Sequence, residues 1–260
     1  DREAYVRCQR CERFICPECQ VEASVGFLCP DDAGGTPQQV NRQRVRANRF
    51  SAPRLTLALI VINVIFWLLE ISPVGDYVIS YLAYKPVFTA VAPWQMITAA
   101  FLHDWSSPLH LLFNMYTLYI FGQVLEPMLG KARFFALYLI SAFGGSVAVL
   151  LFGDPASTVV GASGAIFGMM GAYFILLRAI GQQSGQLMGL IAINLVFSFL
   201  NQGISWQAHI GGLIVGGAVA GIYAATRKAE QKGMQITGLA ILIAVLVGLS
   251  FYQAGVYGLL

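Results

Sequence analysis

Long apolar runs separated by short polar segments make up most of the chain after position 54. A helix needs about 20 apolar residues to cross the hydrocarbon core of a bilayer. Seven runs are near that length: residues 55–71, 109–128, 133–152, 159–180, 187–200, 206–226 and 236–254. The fifth run is the shortest and contains Asn194. We therefore predict an all-α polytopic membrane protein with seven membrane-spanning helices.

The segment between the first two runs, residues 72–108, has a different pattern. It contains four prolines and two tryptophans within amphipathic patches, namely Pro73, Pro86, Pro93, Pro108, Trp94 and Trp105. Tryptophan is enriched where a membrane meets water, and proline interrupts long helices. We predict that this segment lies in the membrane interface.

The first 54 residues differ in composition from the rest of the chain. Overall, 57% of the residues are hydrophobic and only 11% are charged, which excludes an ordinary soluble domain. All five cysteines precede position 30, and nine of the 16 Lys and Arg residues lie at or before Arg54. We predict a small cysteine-rich domain at residues 1–32, a basic linker at 33–54 and a transmembrane domain at 55–260.

The positive residues indicate the orientation of the chain in the membrane. The net charge of +3 is small, and the basic residues border the apolar runs, so topology explains them better than nucleic-acid binding does. With the N-terminus in the cytosol, the outer segments hold only Lys85 among the basic residues. The cytosolic segments then hold Arg42, Arg44, Arg46, Arg49, Arg54, Lys131, Arg133, Arg178, Arg227, Lys228 and Lys232. We therefore predict a cytosolic N-terminus and an outer C-terminus.

The beginning of the chain also bears on this topology. No cleavage-site pattern follows the first apolar run, so we expect no signal peptide and a first span that stays in the protein. The chain begins with Asp1 rather than Met. We expect a trimmed or processed product that lacks some upstream residues.

A serine and a histidine are placed at the same predicted depth, near the outer ends of two runs. Ser163 lies in the sequence Gly161-Ala162-Ser163-Gly164, about four residues inside the fourth run, and His209 lies near the start of the sixth. A serine hydroxyl becomes a nucleophile when a neutral imidazole takes its proton. We identify no Asp or Glu on the outer half of a span that could orient the imidazole. The sequence therefore predicts a Ser-His dyad without a third member.

Further polar groups and small residues belong to the same layer. His110 and Asn114 are four residues apart on one face of the second run, where their side chains could donate to an oxyanion. Small residues spaced by four allow close helix packing. Such pairs occur at Gly164 and Gly168, at Gly212 and Gly216, and at Gly217 and Gly221. We predict that this packing brings the fourth and sixth runs together.

Four motifs together resemble the rhomboid family of intramembrane serine proteases, over most of residues 55–226. They are His110-Leu-Leu-Phe-Asn114, Glu126, Gly161-Ala-Ser163-Gly164-Ala-Ile-Phe-Gly168 and Ala208-His209-Ile-Gly-Gly212. The resemblance implies that Ser163 is the nucleophile and His209 the base. It also implies an oxyanion hole formed by His110, Asn114 and the Ser163 backbone.

The resemblance has further implications for fold and substrate. It implies a six-helix bundle plus a seventh helix at residues 236–254. It implies cleavage of transmembrane proteins near the non-cytosolic face, often beside small residues, with lateral entry near spans two and five and no cofactor. The family's usual Trp-Arg pair in the first loop is replaced here by Trp94-Gln95, which puts the anchoring of that loop in question.

Two other polar residues are expected to have structural roles. We expect Glu126 to hold the loop between the second and third spans. We expect His103 to cap a helix or form a hydrogen bond within the interfacial segment, rather than to act in catalysis. All three histidines of the chain nevertheless collect at one predicted membrane face together with Ser163, which chance packing does not explain.

The N-terminal cysteines have the spacing of a metal site. They occur as Cys8-x-x-Cys11, Cys16-x-x-Cys19 and Cys29-Pro-Asp-Asp32, and we predict structural zinc. Disulfides are the alternative, but an odd number of cysteines in a reducing cytosol argues against them. The spacing resembles a B-box-type zinc finger, which implies one site from Cys8, Cys11, Cys29 and Asp32. Cys16 and Cys19 would then await two upstream ligands.

Two other functions compete with the protease interpretation. An inactive rhomboid-like protein would bind and route membrane clients without cutting them, but such proteins usually lack the serine or the histidine. A multi-pass transporter or channel would show repeat symmetry or helices broken at mid-membrane, and neither is evident. By resemblance, we expect a prokaryotic-type plasma membrane, and a cytosolic protein partner for the zinc domain rather than DNA.

Overall fold

The computed structural model describes residues 4–22, 27–36, 53–201 and 203–258. The chain divides into two compact units, Asp1–Ala52 and Pro53–Leu260. Most of the predicted linker at 33–54, including Arg42, Arg44, Arg46 and Arg49, lies outside the described residues. The three-part division of the chain therefore remains a prediction.

The first unit is built from two small antiparallel hairpins. Strand β1 (Val6–Arg7) pairs with β2 (Phe14–Ile15), and β3 (Val21–Glu22) pairs with β4 (Phe27–Leu28). A 3₁₀ turn lies at Pro17–Cys19, and helix α1 spans Pro30–Ala33. The buried centre consists of Cys8, Ile15 and Cys29. Domains with so few buried apolar residues as the described part of this unit usually depend on a crosslink or a metal, and the buried cysteines are candidates for that role.

The second unit is mostly helical in its described residues, with an isolated β-bridge between Tyr84 and Val159. Its helices are α2 (Arg54–Glu70), α3 (Gly75–Leu82), α4 (Gln95–Thr98), α5 (Pro108–Leu129), α6 (Lys131–Phe152), α7 (Ser163–Ala179), α8 (Gly185–Leu200), α9 (Trp206–Ala225) and α10 (Lys232–Val256). Each of the seven predicted apolar runs coincides with one of the long helices. Segment 72–108 instead forms the short helices α3 and α4 with 3₁₀ turns.

Three described helices, α6, α9 and α10, are long and apolar enough to cross a membrane. Two more, α7 and α8, are apolar but shorter. In α6, 67% of the most apolar window is buried within the protein, whereas in α10 the value is 17%. Helix α6 therefore lies at the centre of the bundle and α10 at its edge. These features agree with the predicted all-α membrane fold, while the number of crossing helices remains a prediction.

Helices α7 and α9 approach each other more closely than side chains would allow. A Cβ atom at Gly212 or Gly216 on α9 would overlap the carbonyl oxygen of Gly164 or Gly168 on α7. This contact confirms two of the three predicted glycine pairs.

The third predicted pair is confirmed only in part: the Gly217 backbone nitrogen would lie 3.3 Å from a Cβ on Gly171 of α7, whereas Gly221 makes no such approach. A Cβ at Gly217 would make only ordinary contacts at 3.7 Å, and a Cβ at Gly221 would meet nothing within 4 Å. Gly171 on α7, which the pattern did not single out, lies against the Leu213 carbonyl. The four-residue spacing of glycines in the sequence therefore identified only some of the residues at which α7 and α9 approach closely.

Helix α7 begins at Ser163, so the prediction that Ser163 lies about four residues inside its helix is wrong. The backbone before it is held extended, because Val159 and Tyr84 form an antiparallel bridge with an N–O distance of 2.8 Å. Gly161 has a φ of +127° and donates its N–H to the Ala99 carbonyl at 2.9 Å. These bonds place Ser163 at the open N-terminus of a helix.

Glu126 is structural, but its partner differs from the predicted one. Its carboxylate accepts hydrogen bonds from the N–H groups of Leu55 and Thr56 at 3.0 and 2.8 Å, and from the Thr56 hydroxyl at 2.8 Å. It therefore caps the first turn of α2 rather than holding the loop between α5 and α6. An anion at this position accepts hydrogen bonds from the free N–H groups of the first turn and is stabilised by the positive end of the helix dipole.

Removal of this cap is expected to destabilise the protein. We expect Glu126→Ala to lower the free energy of unfolding by about 2–3 kcal/mol, since buried donors lose a charged acceptor. Glu126→Gln should cost less, because its carbonyl still accepts. Thermal unfolding in detergent measures both variants. Equal stability of Glu126→Ala and wild type would contradict the capping role.

Candidate active site

The predicted nucleophile and base are in hydrogen-bonding contact. The Ser163 Oγ and His209 Nε2 atoms are 2.8 Å apart. Ser163 is the first residue of α7, and His209 is the fourth residue of α9. The imidazole is 6% exposed, and the serine is half-buried. A pair at this distance can transfer a proton from the hydroxyl to the ring.

The imidazole of His209 is fixed in orientation by an aromatic neighbour. The Phe167 ring stacks on it with centroids 4.1 Å apart and an interplanar angle of 15°. Phe167 is four residues after Ser163, so both side chains lie on the same face of α7. Analysis of the sequence missed this role, although the spacing of four within the serine motif was available as a signal.

The Nδ1 atom of His209 also has a partner. Ser198 Oγ, on α8, lies 2.6 Å from it. Glu70 ends α2 near the outer end of the first predicted span, but the Nδ1 partner is Ser198, in agreement with the prediction that no acidic residue orients the imidazole. The Glu70 carboxylate accepts instead from the backbone N–H of His103 at 3.1 Å. The contact with His209 thus comes from a hydroxyl rather than a carboxylate.

His110 borders the same space as Ser163. A Cβ atom built on Gly161 would lie 3.2 Å from His110 Nε2 and 3.6 Å from Ser163 Oγ. The N–H of Asp104 donates to His110 Nδ1 at 3.2 Å. An imidazole nitrogen that accepts carries no proton, so in the neutral ring the proton is on Nε2. His110 therefore presents a donor toward the space in front of Ser163.

Asn114 lies one turn further along α5 and is 7% exposed. Its Nδ2 donates to the His110 carbonyl at 2.8 Å. The amide nitrogen carries two hydrogens, so one remains for a further acceptor. The structure thus brings Ser163, His209 and His110 together, with Asn114 directly behind His110.

Comparison with known proteins agrees with this geometry. Residues 91–227, more than half of the chain, match the Rhomboid domain. The chain belongs to the rhomboid family. This confirms the family resemblance and, with the apolar helices, an integral membrane protein.

The chain is similar to several named rhomboid proteins. It is 34% identical to "Rhomboid protease GluP" of Bacillus subtilis over 77% of this chain and 40% of that protein. It is 30% identical to "Rhomboid protein 1, mitochondrial" of Saccharomyces cerevisiae over 71% of this chain and 58% of that one. It is 28% identical to "Rhomboid protease GlpG" of Serratia proteamaculans, over 71% and 69%. The chain spans about half the length of the first relatives it matches.

The rhomboid first loop is anchored without the usual arginine. Trp94 Nε1 donates to the Tyr81 carbonyl at 3.0 Å. Gln95 is 3% exposed, and its Nε2 donates to the Ser80 and Tyr81 carbonyls at 3.4 and 3.3 Å. Both side chains therefore attach α4 to the end of α3. The glutamine amide supplies donors where an arginine would supply a charge.

The hydrogen bond predicted for His103 is formed by its backbone N–H, which donates to Glu70, and not by its ring. Its ring is 1% exposed, and within the described residues neither ring nitrogen has a hydrogen-bond partner. Burial lowers the pKa of His103 to about 3, and His110, with its ring centroid 5.2 Å away, adds to this effect. The ring is therefore neutral near pH 7 and packs against the His110 ring in a tilted arrangement.

The first unit contains a cluster with the composition of a metal site. One ligand atom from each of Cys8, Cys11, Cys29 and Asp32 lies within 4.8 Å of the others. The Sγ atoms of Cys11 and Cys29 are 3.7 Å apart, too far for a disulfide of about 2.0 Å. A tetrahedron with Zn–S bonds of about 2.3 Å has edges of about 3.8 Å. Cys16 and Cys19 do not belong to this cluster.

The electrostatics of the cluster favour a cation. The thiols of Cys11, Cys8 and Cys29 lower the pKa of Asp32 to about 2 through hydrogen bonds, so this side chain is a carboxylate. The carboxylate in turn raises the pKa of Cys11 to about 11. Thiolates form readily beside a carboxylate only when a positive charge compensates them. The residues present therefore fit a divalent metal ion.

Proposed function

We propose that this rhomboid protein is an intramembrane serine endopeptidase that cleaves transmembrane substrates with Ser163 and His209. The observation that carries this proposal is the 2.8 Å contact between Ser163 Oγ and His209 Nε2. It occurs beside a histidine donor in a chain of the rhomboid family. Membrane proteins seldom bury histidines without a functional reason.

The reaction begins when Ser163 Oγ attacks the scissile carbonyl and His209 Nε2 takes the hydroxyl proton. The carbonyl oxygen becomes an oxyanion, which His110 Nε2–H, Asn114 and the Ser163 N–H stabilise. Ser163 begins α7, so its N–H is not used by the helix and lies at the positive end of the dipole. His209 then gives its proton to the leaving amine. Water hydrolyses the acyl-enzyme by the same route.

The surroundings of Ser163 suit a small substrate side chain. A small cavity beside the site is lined mainly by alanine, glycine and valine, including Ala99, Gly145, Gly161, Gly164 and Ala208. A small residue next to the scissile bond fits such a cavity, and a bulky one does not. We propose that cleavage occurs near the non-cytosolic face, with the N-terminus in the cytosol. A prokaryotic-type plasma membrane remains a prediction, because the relatives include a mitochondrial protein.

Reconstitution of the purified chain in liposomes with single-pass transmembrane substrates tests this proposal. Wild type is expected to release two fragments whose new termini map beside a small residue in the outer part of the substrate helix. If a panel of such substrates stays intact but binds, the protein is a non-cutting rhomboid that routes clients. If cleavage persists without Ser163, the assignment of the nucleophile is wrong.

We also propose that the first unit binds one structural zinc ion through Cys8, Cys11, Cys29 and Asp32. The 3.7 Å spacing of two sulfurs and the ionised Asp32 support it. Bound zinc neutralises the ligands and ties β1, β4 and α1 together. The folded unit would offer a surface to a cytosolic protein partner. A second site that includes Cys16 and Cys19 remains a prediction.

The zinc content of variants distinguishes a proposed ligand, Asp32, from its neighbour Asp31. We expect the full chain to retain about one zinc per molecule by elemental analysis and Asp32→Ala to lose most of it, since four ligands complete the tetrahedron. Asp31→Ala is the matched control, because Asp31 is exposed and paired with Arg13 instead. Wild type without zinc, or equal zinc in both variants, would contradict the site.

A further inference from the structure

Ser198 is one of only two buried residues in α8, and it is the polar one. Of the 16 residues of this helix, Ile191 and Ser198 are buried. Ser198 is 2% exposed, and its hydroxyl points at the imidazole of His209. A buried hydroxyl on an otherwise exposed apolar helix requires a hydrogen-bond partner.

The hydrogen-bond pattern around Ser198 defines where its single proton goes. Its Oγ donates to the carbonyl of Asn194, four residues earlier in α8, at 2.7 Å. A hydroxyl has one hydrogen and two lone pairs, so while Ser198 donates to the Asn194 carbonyl, its contact of 2.6 Å with His209 Nδ1 is one that it accepts. The proton of that bond therefore belongs to Nδ1.

This arrangement selects one tautomer of His209. A neutral imidazole with its proton on Nδ1 has a lone pair on Nε2, and Nε2 faces Ser163 Oγ at 2.8 Å. Only that tautomer can take the Ser163 proton. The other one would present an N–H to the serine and could not act as a base.

We propose that Ser198 is a positioning residue that holds His209 in the tautomer required of a general base, which rests on the proposed protease function. It does so as a neutral group, whereas a carboxylate in this place would have to be desolvated within the membrane domain. The helix carbonyl of Asn194 directs the serine proton away from the imidazole. The hydrogen-bond chain, which we call the relay, runs from the Ser163 hydroxyl to His209, from His209 to Ser198, and from Ser198 to the Asn194 carbonyl.

Threonine and valine at position 198 form a matched pair that differs mainly by the hydroxyl. Threonine in a helix can also donate to the carbonyl four residues earlier, so Ser198→Thr should keep the relay. We expect Ser198→Val and Ser198→Ala to lower kcat about tenfold with KM changed less than twofold. Ser198→Thr should stay within about threefold of wild type. Thermal unfolding of all three variants identifies losses that come from misfolding.

A spectroscopic measurement tests the tautomer directly and does not depend on turnover. The chain has three histidines, so ¹⁵N spectra of histidine-labelled protein contain few signals, and His209→Gln assigns those of His209. We expect the Nδ1-protonated form in wild type and Ser198→Thr, and a shift toward the Nε2-protonated form in Ser198→Val.

The two measurements separate the two proposals. Absence of cleavage by wild type would overturn the protease function while the spectra still decide the tautomer. An Nε2-protonated His209 in wild type would overturn the role of Ser198, even in an active enzyme. Equal losses of kcat in Ser198→Thr and Ser198→Val would do the same.

Discussion

Ser163→Ala and His209→Ala are each expected to lower kcat/KM for a transmembrane substrate by about 10³-fold or more. The serine supplies the bond-forming oxygen, and the histidine accepts its proton at 2.8 Å, so neither group functions without the other. Since both act in one step, the double variant should be no worse than either single variant. Cleavage in liposomes at several substrate concentrations measures kcat and KM for each.

Ser250→Ala is the matched control for the serine. Ser250 is also buried in a long apolar helix, α10, but its hydroxyl donates to the Leu246 carbonyl of that helix at 2.9 Å. We expect it to cleave like wild type. A fluorophosphonate probe should label wild type and Ser250→Ala but not Ser163→Ala. Losses that add up in the double variant would show that Ser163 and His209 act separately and would overturn the dyad.

The sequence predicts the dyad because both partners are marked by local patterns. An apolar run of about 20 residues identifies a helix, and a histidine or a small-residue serine motif stands out against it. Both lie near the same predicted membrane face by the topology, although counting residues misplaced Ser163 within its helix. The contact between Ser163 and His209 therefore needs little knowledge of tertiary structure.

Ser198 could not be identified in the same way, because its role depends on how α8 packs against α9. Serine is common in membrane helices, and no spacing relates it to His209 eleven residues later across a loop. Glu126 was singled out by its motif, but its partner on α2 is seventy residues away in the chain. Such pairings are set by tertiary packing, which a single sequence does not encode in its periodicity.

The start of α7 was misplaced for a different reason. Val159 and Val160 are apolar and extend the hydropathy of the run, but the backbone of Val159 pairs with Tyr84 instead of continuing the helix. Gly161 marked the change of conformation, since glycine tolerates positive φ. In the first unit, by contrast, the cysteine spacing predicted a metal site, and the resemblance to a B-box-type zinc finger implied the four residues that cluster, because metal ligands recur at short fixed intervals.

Gly212→Ala is expected to destabilise the protein by about 3 kcal/mol and to impair cleavage. A Cβ atom at this position would overlap the Gly164 carbonyl oxygen, which belongs to the backbone of α7 and cannot rotate away. Helices α7 and α9 would have to separate, and overpacking of this kind commonly costs 1–3 kcal/mol or more. Gly164 adjoins Ser163 and Gly212 is three residues after His209, so separation also lengthens the contact between nucleophile and base.

Gly221→Ala on the same helix is the matched control, because a Cβ there meets nothing within 4 Å. Alanine is the better helix former by about 1 kcal/mol, so this variant should be as stable as wild type or slightly more stable. Thermal unfolding in detergent and cleavage in liposomes measure both variants. If the close α7–α9 contact aligns the dyad, only Gly212→Ala loses stability and activity together. Equal behaviour of the two variants would mean that the dyad geometry does not depend on this contact.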